Sequence, residues 1–174
     1  MLTKRNTMTS PFVAILMGSD SDLPVMQATI NILKQFEITH EVRVRSAHRT
    51  PDAAKAYVKD AEERGCKVFI CAAGLAAHLA GAVAGMTTRP VIGVPVDNGP
   101  LQGHDALLST VMMPGGIPVA TVAIGKAGAK NAGYLAAQIL GIADQKMADK
   151  VKAERVANAK ALLAKDEAMQ AKLG

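Results

Sequence analysis

Apolar residues arrive along this chain in bursts: FVAILM at 12–17, VRV at 42–44, VFICAA at 68–73, VIGVPV at 91–96 and IPVATVAIG at 117–125. Between them lie longer stretches rich in Ala, Leu, Lys and Glu. Runs of β-branched residues without alternation are the mark of strands covered on both faces, and the intervening lengths suit helices. The pattern predicts β and α units in alternation around a parallel sheet, an α/β fold in three α/β/α layers.

Local chemistry marks where the helices begin and end. Ser21 or Asp22 can cap a helix that has Pro24 in its first turn and runs to about Phe36. Thr50 can cap a second, with Pro51 at its first position and Asp52 favourable to the helix dipole. Pro51 keeps Thr50 out of the α region, so the preceding SAHR at 46–49 is a tight loop. Gly65, between AEER and CKVFI, closes that helix.

From about residue 142 the texture changes. Glycine is absent until the last position, proline is absent, and Ala and Lys dominate. Met147, Val151, Leu162, Met169 and Leu173 fall on one narrow stripe at helical spacing. A stripe so narrow does not sustain an isolated helix, so this C-terminal arm is expected to dock on its own core or on a neighbouring subunit. The 174 residues are thus read as a single domain, with an α/β core over 12–141 and a helical arm over 142–174.

Composition removes several functional classes. The net charge of +5 concentrates at the two ends, with Lys4 and Arg5 at one and the lysine-rich arm at the other, while the core is nearly balanced. No basic face interleaved with aromatics is visible, so nucleic acid is not an expected partner. The five aromatics, Phe12, Phe36, Phe69, Tyr57 and Tyr134, leave little material for a stacking site. Cys66 and Cys71 form no CxxC pair and are read as buried free thiols of a reducing compartment. VFICAAGLAAHLAGAVAG approaches the length of a membrane span, but its Ala, Gly and His78 suit a strand, a loop and a helix better. The start MLTKRNTMTSPF lacks the apolar core of a secretory signal, and a cytoplasmic location without membrane attachment is expected.

In open parallel sheets, ligands bind beyond the carboxyl ends of strands. Three such ends carry polar groups: GSDSD at 18–22, SAHR at 46–49 and AAGLAAH at 72–78. Ser19 and Ser21 supply hydroxyls, the amides around 21–23 supply donors, and Arg49 supplies a planar fork, together a phosphate-binding set. Asp22 is unsuited to a dianion but suits a ribose diol, which donates two hydroxyl hydrogens. A phosphorylated ribose fits both; a plain helix cap at Ser21 and Asp22 fits the same stretch. His48, beside Arg49 on a loop, suits a proton shuttle near neutrality or a structural loop residue. His78 lies among side chains too small to block a substrate, or is a hydrogen-bonded core histidine. His40 and His104 are read as surface or loop residues. GxGxxG, a complete P-loop, HExxH and DxDxDG are all absent, so the chemistry is expected to need neither metal nor organic cofactor.

Taken in order, GSDSD, SAHRTP, AGLAAHLAG and MPGGIPVATVAIGKAGAKNAGYLAAQIL resemble the class I N5-carboxyaminoimidazole ribonucleotide mutases of purine biosynthesis over about residues 12–141. The resemblance implies a flavodoxin-like fold and a homo-octamer with sites at subunit contacts. It places Ser19 and Asp22 in the family's nucleotide-binding turn and Ser46, His48 and Arg49 in its SAHR loop. His78 matches its second histidine, in a loop where Leu75 replaces a glycine and Ala80 a proline. In the mechanism so implied, His48 protonates the departing nitrogen and later deprotonates the ring carbon. The wall from Ala72 to Ala77, with Gly74 and Ala76 as substrate-binding positions, retains carbon dioxide and holds the carboxylate. Two rivals remain: the class II relatives, which carboxylate aminoimidazole ribonucleotide directly and carry Lys where Arg49 stands, and a non-catalytic flavin- or nucleotide-binding module.

Overall fold

The computed structural model describes residues 11–174; the Lys4 and Arg5 charges and the reading of the amino-terminal stretch fall largely outside it. Among these residues five parallel strands stand in the order β2–β1–β3–β4–β5. They are β1 (Phe12–Met17), β2 (His40–Val44), β3 (Cys66–Gly74), β4 (Val91–Val96) and β5 (Ala120–Thr121). The helices are α1 (Leu23–Gln35), α2 (Pro51–Glu63), α3 (Leu79–Ala84), α4 (His104–Val111), α5 (Gly125–Gly141) and α6 (Gln145–Leu173). This is the flavodoxin-like order, and it makes the first three strands neighbours.

The uninterrupted apolar runs have a direct structural reason. In β1, Val13, Ile15 and Met17 pack with α1 and α5 on one side, while Phe12, Ala14 and Leu16 pack with α2 and α3 on the other. Alternate side chains leave a strand on opposite faces, so a strand with helices on both sides must be apolar at every position. Aromatics being scarce, the helices approach closely through small residues. A Cβ at Gly133 would lie 2.8 Å from the Ile32 side chain, and Thr29 Oγ1 donates to the Ala129 carbonyl across α1 and α5 at 2.6 Å. Both thiols are buried and free. Desolvation pushes Cys66 up to about 11 and raises Cys71 as well, which leaves both protonated and inert.

VFICAAGLAAHLAGAVAG resolves into the end of β3, a loop and α3, and no helix among the described residues is long and apolar enough to cross a membrane. The last apolar run yields far less strand than its length implies: only Ala120 and Thr121 pair with β4, because Pro118 has no N–H to give to a ladder and Gly125 turns the chain into α5. His40 is no loop residue but the first of β2, its Nδ1 2.8 Å from the Ile38 carbonyl.

β2 is an edge strand and half exposed, yet it is pinned. Arg64 donates twice to Glu41, at 2.5 and 3.0 Å, and the Tyr57 hydroxyl donates to the same carboxylate at 2.9 Å. The Arg64 hydrogen bonds, aided by Tyr57, hold Glu41 below its ordinary pKa against the opposing effect of desolvation. This anchorage matters because β2 carries the SAHR loop at its carboxyl end.

Asp144 caps α6, accepting from the Lys146 and Met147 amides at 3.0 and 3.3 Å. Met147 and Val151 pack on the core, Tyr134 donates to Glu154, and Lys150 pairs with Glu37. Arg155 and Asn158 still face α5 across a shared cavity, and further on Leu162, Met169 and Leu173 are exposed. The predicted stripe therefore splits into a docked beginning and an uncovered remainder.

Candidate active site

The loops leaving β1, β2 and β3 meet around one cavity of about 530 Å³. Ser19, Ser21, Asp22, Ser46, His48, Arg49, Gly74, Ala76 and His78 all line it, as do Leu75 and Asn98. Each loop is first closed on itself and then tied to its neighbours.

After β1 the chain makes one 3₁₀ turn, Asp20–Asp22, before α1. Ser19 caps that turn, while Asp22 takes the expected N-cap position of α1 without a side-chain cap bond to it. Ser19 Oγ accepts from the Ser21 amide at 3.4 Å, and Asp22 Oδ2 accepts the Ser19 amide at 3.0 Å, a reciprocal capping box. The pattern that offered Ser21 or Asp22 as the cap located the start of α1 and missed the short preceding turn. One chemical expectation changes with it: the amides of Ser21, Asp22 and Leu23 are occupied by Ser19 and Asp20 and are not free phosphate donors. The Ser19 hydroxyl is engaged as well, donating to Asp20 Oδ1 at 3.1 Å; the Ser21 hydroxyl and the guanidinium of Arg49 remain.

Asp22 is only 3% exposed. Burial raises its pKa above the ordinary aspartate value, opposed by the Ser19 and Gly18 amides and the charge of Arg49, with Asp20 adding to the rise.

The SAHR loop is closed by Thr50. Its Oγ1 accepts from the Ser46 amide at 2.9 Å and donates to the Ser46 carbonyl at 3.2 Å, while the Thr50 amide donates to that carbonyl at 3.1 Å. Thr50 therefore makes no side-chain cap for α2, because its hydroxyl is used to fold the loop back. Ser46, nearly buried, accepts the Arg49 amide on its Oγ at 3.1 Å. A loop braced in this way holds His48 and Arg49 outward at its tip.

Two contacts then join the loops. Arg49 Nη2 donates to the Gly18 carbonyl at 2.8 Å, linking the β2 loop to the β1 loop. His48 Nε2 lies 2.7 Å from His78 Nδ1, with the rings edge to face at 4.8 Å between centroids. A contact of that length needs one hydrogen between the nitrogens, so one ring donates and the other accepts. The two histidines, 30 residues apart in sequence, form one hydrogen-bonded unit.

Leu75 and Ala80 stand where the resembling family has glycine and proline. Leu75 has φ of +54°, the left-handed conformation that glycine adopts without strain. The backbone path is thus one a glycine would take, and leucine holds it at a cost of about 1–3 kcal/mol. Ala80 is buried in the first turn of α3, where a proline would also be tolerated. Ala72 and Ala77, expected to wall the site, are buried beneath it; Ala73 to Ala76 line the cavity instead.

Reasoning from the sequence overlooked the loop after β4. Asn98 donates from Nδ2 to Asp22 Oδ1 at 3.0 Å and lines the same cavity. The signal was available, since Asp97-Asn98-Gly99 follows the buried run VIGVPV just as GSDSD follows FVAILM.

A doubly wound sheet whose strands β1, β2 and β3 open at their carboxyl ends on a cavity lined by serine hydroxyls, a guanidinium, a carboxylate and two hydrogen-bonded imidazoles defines the class, an α/β protein with a polar cavity at its topological switch point. A protein-family profile described as AIR carboxylase matches residues 12–161, and the chain belongs to that family. It is 59% identical over 142 residues to an N5-carboxyaminoimidazole ribonucleotide mutase of Thermotoga maritima, covering 82% of each chain. It is 54% identical to the protein of the same description from Bacillus subtilis, over 83% of this chain and 90% of that one. Among solved structures, Treponema denticola PurE superposes with a TM-score of 0.80 at 34% identity, covering 91% of this chain and 98% of that one.

Proposed function

We propose that this chain is an N5-carboxyaminoimidazole ribonucleotide mutase of purine biosynthesis, moving a carboxyl group from the exocyclic nitrogen of its substrate to ring carbon 4. The observation that carries the reading is the His48–His78 contact beside Ser19, Asp22 and Arg49, in a chain whose relatives bear that description. Arg49 and the Ser21 hydroxyl take the phosphate, joined by the Ser19 hydroxyl when it exchanges its exposed bond to Asp20 for the ligand, and Asp22 accepts from the ribose hydroxyls, which fixes the heterocycle below the imidazoles.

The reaction then needs a proton moved twice. His48 gives its proton to the carbamate nitrogen as the nitrogen–carbon bond breaks, releasing carbon dioxide and the aminoimidazole. Ring carbon 4 attacks the retained carbon dioxide, forming the new carbon–carbon bond. His48 removes the hydrogen from that carbon, which restores the ring and its own starting state. His78, bonded to His48, holds the imidazole in position and takes the other end of the shared hydrogen. Leu75 and Ala76 close the carbon dioxide space, and backbone amides of that turn hold the carboxylate.

The exposed part of α6 is suited to contact further copies, as expected of a homo-octamer with sites completed at subunit contacts in the cytoplasm. Arg49, rather than lysine, favours the mutase over direct carboxylation. The deciding assay follows consumption of the carbamate substrate separately from bicarbonate-dependent carboxylation of aminoimidazole ribonucleotide. Turnover of the carbamate without bicarbonate supports the mutase; turnover only with bicarbonate overturns it in favour of the carboxylase.

A further inference from the structure

Asp22 is buried, lines the cavity and has one donor on each carboxylate oxygen: the Ser19 amide on Oδ2 and Asn98 Nδ2 on Oδ1, each at 3.0 Å. An ionised carboxylate offers about four lone-pair directions, so two remain, one on each oxygen. Held by two donors from different loops, the carboxylate cannot rotate about its terminal bond without breaking one of them. Two parallel acceptors in fixed orientation match a vicinal diol, which presents two hydroxyl hydrogens side by side. A single hydroxyl uses only one.

The position of Asn98 is itself prepared. A Cβ at Gly74 would meet Asn98 Cβ at 3.2 Å, so the glycine that ends β3 lets the β4 loop come in. On the far side, Gly99 has φ of +119°, and a Cβ there would fall 2.5 Å from Leu75 Cδ2. The Leu75 side chain therefore lies across Gly99, and the two loops interlock on either side of Asn98.

We propose that Asn98 is a positioning residue which, by holding the Asp22 carboxylate, makes the site selective for a ribose with both hydroxyls over its 2-deoxy counterpart. This rests on the reading of the cavity as a ribonucleotide site. Asn98 acts through Asp22, and its amide must present nitrogen to the carboxylate. Aspartate at position 98 would be isosteric but would set two carboxylates against each other.

The test measures binding of ribose 5-phosphate and 2-deoxyribose 5-phosphate by calorimetry to the wild type, Asn98→Ala, Asn98→Asp, Asp22→Asn and the Asp22→Asn/Asn98→Ala double variant. The wild type should favour the ribose form about tenfold or more, the loss expected when one charge-assisted hydrogen bond goes unmade. Asn98→Ala and Asn98→Asp should each reduce that preference to within about threefold, and Asn98→Ala should add nothing in the Asp22→Asn background. In the turnover assay Asn98→Ala should raise KM and leave kcat within about threefold. A wild type indifferent to the 2-hydroxyl, variants that keep its preference, or losses that add to those of Asp22→Asn would each overturn the proposal. A protein silent in the mutase assay that still discriminates the two sugars through Asn98 would refute the catalytic reading alone.

Discussion

The loop rim above β1 to β4 and the outer part of α6 both face solvent, yet they are constrained very differently. At the rim, contacts reach across the chain: Arg49 to Gly18, His48 to His78 and Asn98 to Asp22. Past Asn158, which still shares a cavity with Tyr134 and Leu135 of α5, the exposed residues of helix α6 make no side-chain bond to the rest of the described chain. Exposure therefore says little about constraint; what separates the two is the sequence distance over which side chains are tied. A rim so braced is costly to alter for chemistry and cheap for folding. The outer helix should be neutral for both within a single chain, and significant only when copies meet.

Changes at the rim and on the helix test that contrast. The largest effect is expected for His48→Asn, which removes the proton carrier and leaves the phosphate and ribose contacts. Turnover should fall about 10²–10⁴-fold while ribonucleotide affinity stays within about threefold. Near wild-type turnover would mean the rim holds some other proton carrier.

Arg49→Ala follows. Loss of one charged hydrogen-bond partner should weaken ribonucleotide binding by about 1.5–3 kcal/mol, read by calorimetry. The variant also loses the tie to Gly18, so Arg49→Lys separates charge from bracing: retained affinity with the lysine would show that the fork geometry is dispensable.

Acidification gives a smaller effect with a defined sign. Asp22 is raised above its ordinary value of 3.8, chiefly by desolvation. As pH falls through the raised value the carboxylate is protonated and stops accepting from the diol, so affinity should decline at a higher pH than for a free aspartate. Its contribution to folding runs the other way. The folded state binds the proton more readily than the unfolded one, so in the window above 3.8 acidification favours the fold through this group. Affinity and stability moving together in an Asp22-dependent manner would contradict this assignment.

The smallest effect is expected from removing residues 157–174. The docked residues Met147, Val151 and Glu154 stay, so urea unfolding of the chain should shift by no more than about 0.5 kcal/mol. Light scattering should nevertheless report a smaller assembly. An unchanged mass would remove the outer helix from the subunit contacts.

Much of the fold was legible in advance because burial on two faces leaves its trace in consecutive residues. FVAILM and VIGVPV became fully buried strands with the expected bounds, and Gly65 ended α2 with φ of +97°. Asp22 and Thr50 hold the N-cap positions of α1 and α2 as expected, but neither side chain caps its helix, because the Asp22 carboxylate closes the box with Ser19 and the Thr50 hydroxyl folds the SAHR loop. The part played by Asn98 was missed because only three strand ends had been weighed, although the fourth carried the same polar signature.

What the order of residues determined by itself was local and periodic: where strands lie buried on both sides, where helices begin and end to within a turn, and which loops hold hydroxyl, carboxylate, imidazole and guanidinium. Those properties depend on neighbours a few residues away, and so are written in contiguous sequence. Only the tertiary structure decided that His48 meets His78, that Asn98 reaches Asp22, and that Leu75 keeps a glycine-like path over Gly99. These contacts depend on strand order and on spacings of a few tenths of an ångström, which no short stretch of residues encodes.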